Sequence, residues 1–243
     1  MKNSVTENLA YAFMALVFGF LGAALWSFFG LADNRTREYL ISNPDILPLM
    51  AEAFQEQEAS ERLAQIRDEA VAPFGAAVLG NPNGTRVLVE FTDYNCPYCE
   101  ASFGDVERLI AENPDLKVIM REWPIFEGSE LAARIALAAA LQGKYDAFHR
   151  AMFANTPTTP ENIEKAAKEA GLDWEKAQQD AMSDPISIEI AQNMAIAQQL
   201  GFTGTPAWIA GDRAINGAVG YETLAEAVSE AAPEAETEVE QGA

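Results

Sequence analysis

One histidine and two cysteines are all the imidazole and thiolate ligands that 243 residues provide. That shortage excludes a His-rich metal centre, and two thiols cannot build a multi-disulfide scaffold. Positive charge is scarce too: 16 Lys and Arg stand against 37 Asp and Glu, a formal net charge of −21. Such a chain repels phosphate backbones, which argues against nucleic acid as a partner. No internal repeat is visible. Apolar residues are plentiful, at 49% against 22% charged, enough for a sizeable core and too many for wholesale disorder. The length exceeds the roughly 150 residues typical of one domain, so one enlarged domain or a domain with an arm fits best.

The organisation changes along the chain. Residues 9–31 form 23 uncharged, mostly apolar positions. At about 1.5 Å per residue they would cross a bilayer core of about 30 Å, so residues 1–32 read as a membrane anchor. The alternative is a signal segment cleaved after Gly30-Leu31-Ala32, although its apolar stretch exceeds the usual 7–15 or so residues. Residues 33–75 read as a helical arm. Ile46, Met50, Phe54, Ala59, Leu63, Ile66 and Ala70 recur at helical spacing, and Pro48 suits a first helical turn. Over residues 36–72 this arm either packs on its own domain or forms an oligomerising stalk.

From residue 76 the pattern is that of a domain. Arg86 to Phe91 is short, β-branched and nearly continuous in apolar character, a buried strand, and Leu116 to Met120 is a second. Phe103, Val106, Leu109 and Ile110 place a helix between them, which makes the two strands parallel. A helical block of five segments fills about 126–200. Ser129, Thr159 and Asp173 stand at helix starts, the second followed by Pro160. Strand character returns at Ala207 to Ala210, Gly211-Asp212 turns the chain into Arg213 to Asn216, and a last helix carries Leu224, Ala227 and Val228. Residues 233–243, with four Glu and no basic residue, read as a disordered acidic tail.

The chemistry concentrates in Cys96-Pro97-Tyr98-Cys99, at a strand-to-helix junction. Residues three apart on a first helical turn share a face, so the two sulfurs can bond. Unpaired N–H groups and the positive end of the helix dipole favour thiolate, and in such motifs the pKa falls to about 3.5–7.5. Cys96 lies nearest that field and is the expected attacking sulfur; Cys99, further in, resolves the mixed disulfide. A structural disulfide closing so short a loop would stabilise little. Zinc lacks two further ligands, and no His follows the second Cys for haem attachment. Cu(I) held on the two thiolates is the competing function.

The segment Glu90-Phe91-Thr92-Asp93-Tyr94-Asn95-Cys96-Pro97-Tyr98-Cys99 resembles the active-site segment of the DsbA-like branch of the thioredoxin superfamily. Gly204-Thr205-Pro206, directly before a strand, is similar to that branch's cis-proline loop, and the block at 126–200 to its inserted helical domain. The resemblance covers about 76–232. It implies a thioredoxin-like α/β fold with a helical insertion and thiol:disulfide oxidoreductase activity without a cofactor or metal. A Cys-Pro-Tyr-Cys centre, a threonine before the proline and an N-terminal helical arm further resemble ScsC and related disulfide isomerases.

Several roles come only with this resemblance. Thr-Pro alone predicts a trans turn; the family implies a cis bond that lets Thr205 and Pro206 present a backbone edge to an extended substrate beside Cys96. Glu90 matches a buried acidic position that can relay the Cys99 proton, and Pro97 and Tyr98 tune reactivity. The implied setting is a bacterial inner membrane with the catalytic domain in the periplasm, or a soluble periplasmic form after cleavage near Ala32. The implied partners are cysteine-containing exported proteins and a membrane redox partner. His149 and Trp123 read as core, and Trp208 as core or a lining of the substrate groove.

Overall fold

The computed structural model describes the backbone of residues 2–28 and 31–231 and the side chains of 11–25, 35–51 and 53–231. The acidic tail expected at 233–243 lies outside the described residues. In chain order the elements are α1 (Lys2–Phe28), α2 (Leu31–Ser42), α3 (Ile46–Ala70), β1 (Val78–Gly80), β2 (Arg86–Thr92), α4 (Pro97–Glu112) and β3 (Leu116–Glu122). There follow α5 (Glu130–Leu141), α6 (Tyr145–Ala154), α7 (Pro160–Glu169), α8 (Trp174–Ala181), α9 (Asp184–Leu200), β4 (Ala207–Ala210), β5 (Arg213–Asn216) and α10 (Tyr221–Glu230). The chain divides into two compact units, 1–55 and 56–243.

The first unit is helical. The described part of the long apolar run, residues 11–25, lies in α1 with its large side chains exposed. The sequence expectation of a spanning helix is not upheld: among the described residues no helix is long and apolar enough to cross a membrane. The described side chains of the run fall short of the roughly 20 residues a span takes, and its two ends lie outside them. The helical arm is broken at Asn43-Pro44-Asp45, where α2 stops and α3 begins. Pro48 occupies the first turn of α3, where its missing N–H costs nothing.

In the second unit five strands form one sheet in the order β1-β3-β2-β4-β5. β2 and β3 run parallel, with Thr92 opposite Glu122, and the other three pairs are antiparallel. Because successive strand residues point to opposite faces, β2 serves two cores. Val87, Val89 and Phe91 join Ile119, Ala207 and Ile209 against Leu63 and Ala70 of α3 and Ile196 and Leu200 of α9. Leu88 joins Val118, Met120, Trp208 and Ala210 against α4, α5, α6 and α10. Fully burying side chains such as Phe91 or Leu88 stabilises the fold by about 1.5–3 kcal/mol each. This is the thioredoxin-like α/β architecture, with α5 to α9 between β3 and β4 as the helical insertion.

Two local expectations need correction. The edge strand β1 was not anticipated, because three residues carry no readable alternation. Ser129 takes the N-cap position of α5 but its side chain makes no capping bond: its backbone is already helical (φ −81°, ψ −16°), and its hydroxyl donates to Asp93 Oδ2 at 2.8 Å. Thr159 and Asp173 do cap, accepting from the backbone N–H of Asn162 and Lys176.

The α3 end is fixed by a buried arginine. Arg121 of β3 donates from Nη1 to Glu189 and Asn193 of α9, each at 2.9 Å. Its Nη2 reaches the backbone carbonyls of Glu69, Ala70 and Ala72, the first the shortest of the three contacts, at 3.2 and 2.7 Å for the other two. Unsatisfied carbonyls at a helix C-terminus and a guanidinium are complementary. Burial works against the charged forms of both Arg121 and Glu189; their mutual attraction and these hydrogen bonds oppose it.

Candidate active site

Cys96 is the residue before the first turn of α4, with extended backbone (φ −85°, ψ 115°) and Pro97 at the first helical position. Its carbonyl accepts from the N–H of Cys99 at 3.1 Å and of Glu100 at 3.2 Å, while its own N–H bonds the Asp93 carbonyl at 3.1 Å. These bonds wind the chain so tightly that both cysteines sit in the opening turn. Both thiols are free and buried. The two residues between them, Pro97 and Tyr98, are exposed, with Tyr98 at 65%.

The second motif meets the first across the sheet. The Cys96 thiol donates to the Thr205 carbonyl at 3.1 Å, and the Thr205–Pro206 peptide bond is cis. A second cis bond, at Thr156–Pro157, was not expected. The Pro206 carbonyl in turn accepts from the Gly217 N–H at 2.9 Å. Trp208 does not line a groove: it is fully buried, and its indole N–H donates to the Gly217 carbonyl at 2.9 Å.

A frame of side-chain bonds fixes the loops around the cysteines. Asp93 Oδ1 accepts from the Asn95 N–H at 2.8 Å, and Oδ2 from the N–H groups of Ile125 and Phe126 at 2.6 and 2.9 Å. Asn95 extends the frame, donating to the Glu127 carbonyl at 3.0 Å and accepting from the Thr158 N–H at 3.2 Å. The segment before Cys96 thus holds two loops of the insertion in place. Ile125 and Phe126 are left exposed there.

Glu90, near the middle of β2, is buried rather than solvated. Desolvation pushes its carboxyl up to about 8, partly opposed by Thr92. The Cys99 thiol is also pushed up, first by burial and then by the nearby Glu90; the Asp93 backbone and the Thr205 side chain pull the other way. Glu122, at the end of β3, was not singled out from sequence, yet it is fully buried and raised to about 8, above all by desolvation. Its Oε1 accepts from the hydroxyls of Tyr145 at 2.6 Å and Tyr94 at 3.1 Å. Tyr94 OH also lies 2.9 Å from His149 Nδ1. His149 is a core residue ringed by Tyr94, Phe103, Tyr145 and Phe153, and burial lowers it to about 3. The available sequence signal was Tyr145 and His149, four residues apart on one helix face and both polar-tipped among Phe148 and Met152.

These three groups dictate a stability profile. Glu90 and Glu122 titrate near 4.5 when unfolded and about 8 when folded, so the folded state holds extra protons between those values. Stability therefore falls as pH rises through that window. His149 acts oppositely: near 6.5 unfolded and about 3 folded, it withdraws stability as pH falls between those values. Together they place maximal stability near the ordinary carboxyl value of 4.5. Urea midpoints measured from pH 4 to 9 are expected to peak there and to decline toward alkaline pH; a midpoint that rises between pH 6 and 8 would contradict the buried-carboxyl picture.

Comparison with known proteins identifies the domain that holds these residues. The DSBA-like thioredoxin domain matches residues 87–229. A thioredoxin-like oxidoreductase from Silicibacter pomeroyi is 44% identical, with a TM-score of 0.60 over 63% of this chain and 89% of that one. A linker-deletion mutant of Proteus mirabilis ScsC is 28% identical, with a TM-score of 0.67 over 82% of this chain and 92% of that one. BcfH of Salmonella enterica Typhimurium is 25% identical, with the same TM-score over 91% of this chain and 98% of that one. Among curated sequences, the Na(+)/H(+) antiporter NhaA 3 of Salinispora tropica is 26% identical over 158 residues, 63% of this chain. The chain spans about a quarter of the length of such relatives, 24% in that case.

Proposed function

Because this chain belongs to the DSBA-like thioredoxin domain family, we propose that it is a thiol:disulfide oxidoreductase that forms or rearranges disulfides in exported, cysteine-containing proteins. The observation that carries this is the Cys96 thiol at the start of α4, 3.1 Å from the Thr205 carbonyl and within one turn of Cys99. Cys96 attacks a substrate disulfide, or in the oxidised form is attacked by a substrate thiol. Either route gives a mixed disulfide at Cys96: in the first Cys99 releases it, and in the second a further substrate thiol does, leaving the substrate oxidised and the protein dithiol reduced. No atom beyond the two sulfurs and a proton acceptor is required.

An extracytoplasmic location is part of the reading, because disulfides persist there and are reduced in the cytosol. The apolar run at 9–31 supports delivery to that side. The antiporter relatives, transport proteins by name, support a place of work at a membrane, where a redox partner would recharge the cysteine pair. Poising the full chain against glutathione tests the reading. The Cys96/Cys99 couple is expected between about −120 and −200 mV, the range of disulfide donors and isomerases. A value below about −250 mV would make it a reductant. Tight Cu(I) binding without any disulfide transfer would replace the reading with a copper-binding one.

A further inference from the structure

The cysteine chemistry leaves a set of buried polar groups unused, and they converge on Glu122. In the parallel β2/β3 register, Glu90 lies opposite Met120 and Thr92 opposite Glu122. Residues two apart on a strand share a face, so Glu90 and Glu122 stand on the same face of the sheet, diagonally one pair apart. Neighbouring strands lie about 4.8 Å apart, and the Glu90 charge reaches Glu122, adding to the upward push on its carboxyl. This face also carries the cysteines, since Leu88, Met120, Cys96 and Cys99 belong to one core.

Among the described residues, the surroundings of Glu122 contain no compensating cation. The loop after β2 contributes Asp93 and Tyr94, and α6 contributes Tyr145 and His149, whose burial keeps the imidazole neutral. From α9, Asn193 donates to the Glu122 backbone carbonyl at 3.1 Å. The buried positions of α5 are all apolar. Arg121, the neighbour in sequence, points to the opposite face and is committed to Glu189, Asn193 and the α3 carbonyls.

One Glu122 oxygen is held and the other is bare. Oε1 takes two tyrosine hydroxyls, while Oε2 is buried with no partner. A charged oxygen left bare in a dry site is costly, so the site favours the protonated carboxyl. Tyr94 has one hydroxyl proton; when it donates to Glu122, the Nδ1 nitrogen of His149 donates to Tyr94 in turn.

We propose that Glu122 is a positioning residue of the disulfide exchange, a second proton-holding carboxyl that sets the pH at which Glu90 can take the Cys99 proton. The inference rests on the thiol–disulfide reading above. In the resolving step Cys99 gives its proton to the Glu90 carboxylate, and its sulfur attacks Cys96 in the mixed disulfide. The Cys96–Cys99 bond forms and the Cys96–substrate bond breaks. The substrate sulfur leaves with the bonding pair as a thiolate and is protonated by solvent, so the protein dithiol is oxidised and the substrate disulfide reduced by two electrons. Two carboxyls in one low-dielectric site do not ionise independently. A protonated Glu122 allows Glu90 to ionise and accept; an ionised Glu122 holds Glu90 and Cys99 in their protonated forms.

The test is a carboxyl-carbon NMR titration of wild type and Glu122→Gln, paired with the pH dependence of exchange. With Glu122→Gln the Glu90 midpoint is expected to fall by about 1 pH unit, and the pH profile of exchange to move to lower pH with it. A purely structural role would lower the rate at every pH and leave both midpoints in place, which would overturn the proposal. If Glu122→Gln does not fold, Tyr145→Phe decides. Losing one donor to Oε1 should raise the Glu122 midpoint and lower that of Glu90, and unmoved midpoints would overturn the proposal. The titration needs no substrate, so wild-type protein that transfers no disulfide would remove the enzymatic reading while the carboxyl coupling is still measured.

Discussion

Cys96→Ser is expected to abolish disulfide exchange, and Cys99→Ser to arrest it as a covalent complex with substrate. The two thiols differ because α4 gives them different surroundings. Cys96 sits ahead of the first turn, where the N–H groups and the positive end of the helix dipole act on its sulfur, and its thiol already addresses the Thr205 carbonyl. Cys99 is buried one turn in, and burial together with Glu90 holds it protonated. A protonated thiol does not attack, so Cys99 waits until a mixed disulfide has formed and its proton can be accepted. Without Cys96 no mixed disulfide forms, and exchange drops to the uncatalysed background. Without Cys99 the first step proceeds and release does not. Non-reducing electrophoresis of each variant, in its reduced form, with a scrambled, disulfide-bonded protein substrate reads both outcomes. Adducts trapped through Cys99 in the Cys96→Ser protein would reverse the assignment.

Arg121→Met is expected to cost about 3–5 kcal/mol of stability, the typical loss when one partner of a buried ion pair is removed. Glu189 would keep its buried carboxylate without the guanidinium, and Asn193 and the carbonyls of Glu69, Ala70 and Ala72 would lose their donor together. At the size of this chain such a loss lowers Tm by about 6–20 °C. Removing both charges with Arg121→Met and Glu189→Leu should recover part of it, because the desolvated carboxylate is then gone. The carbonyls at the end of α3 still go unanswered, so recovery should be incomplete. Chemical denaturation of the three proteins measures this; a single variant within about 1 kcal/mol of wild type would mean that water replaces the guanidinium at no cost.

Much of the domain was legible because its signals are local. β2 and β3 extend one or two residues beyond their apolar runs, β4 and β5 coincide with them, and the turn at Gly211-Asp212 is where the dipeptide places it. The burial of Glu90 came from family likeness, since a lone Glu in a strand reads equally well as solvated. Glu122 escaped because Arg121-Glu122, at the end of an apolar run, looks like an exit into solvent. Only the packing of α6 and α9 shows that both charges are enclosed. Ser129 takes the N-cap position as expected, but its side chain makes no capping bond; its hydroxyl is turned toward a carboxylate from 36 residues earlier in the chain, which no local signal announces. No side chain near Asp93 in sequence announces that it gathers two backbone amides from residues 125 and 126.

The alternation of Arg121 and Glu122 along β3 also constrains assembly. Sliding β3 by one residue against β2 exchanges the two faces. The guanidinium would then face the tyrosine hydroxyls and the neutral imidazole, away from Glu189, Asn193 and the α3 carbonyls that it serves. The carboxylate would face the carbonyls of Glu69, Ala70 and Ala72, three acceptors that repel it. In that frame neither the end of α3 nor the insertion helix α6 could complete its bonds. The strand β3 thus carries its own key on either side, and only the alignment that sets Thr92 opposite Glu122 lets both locks close.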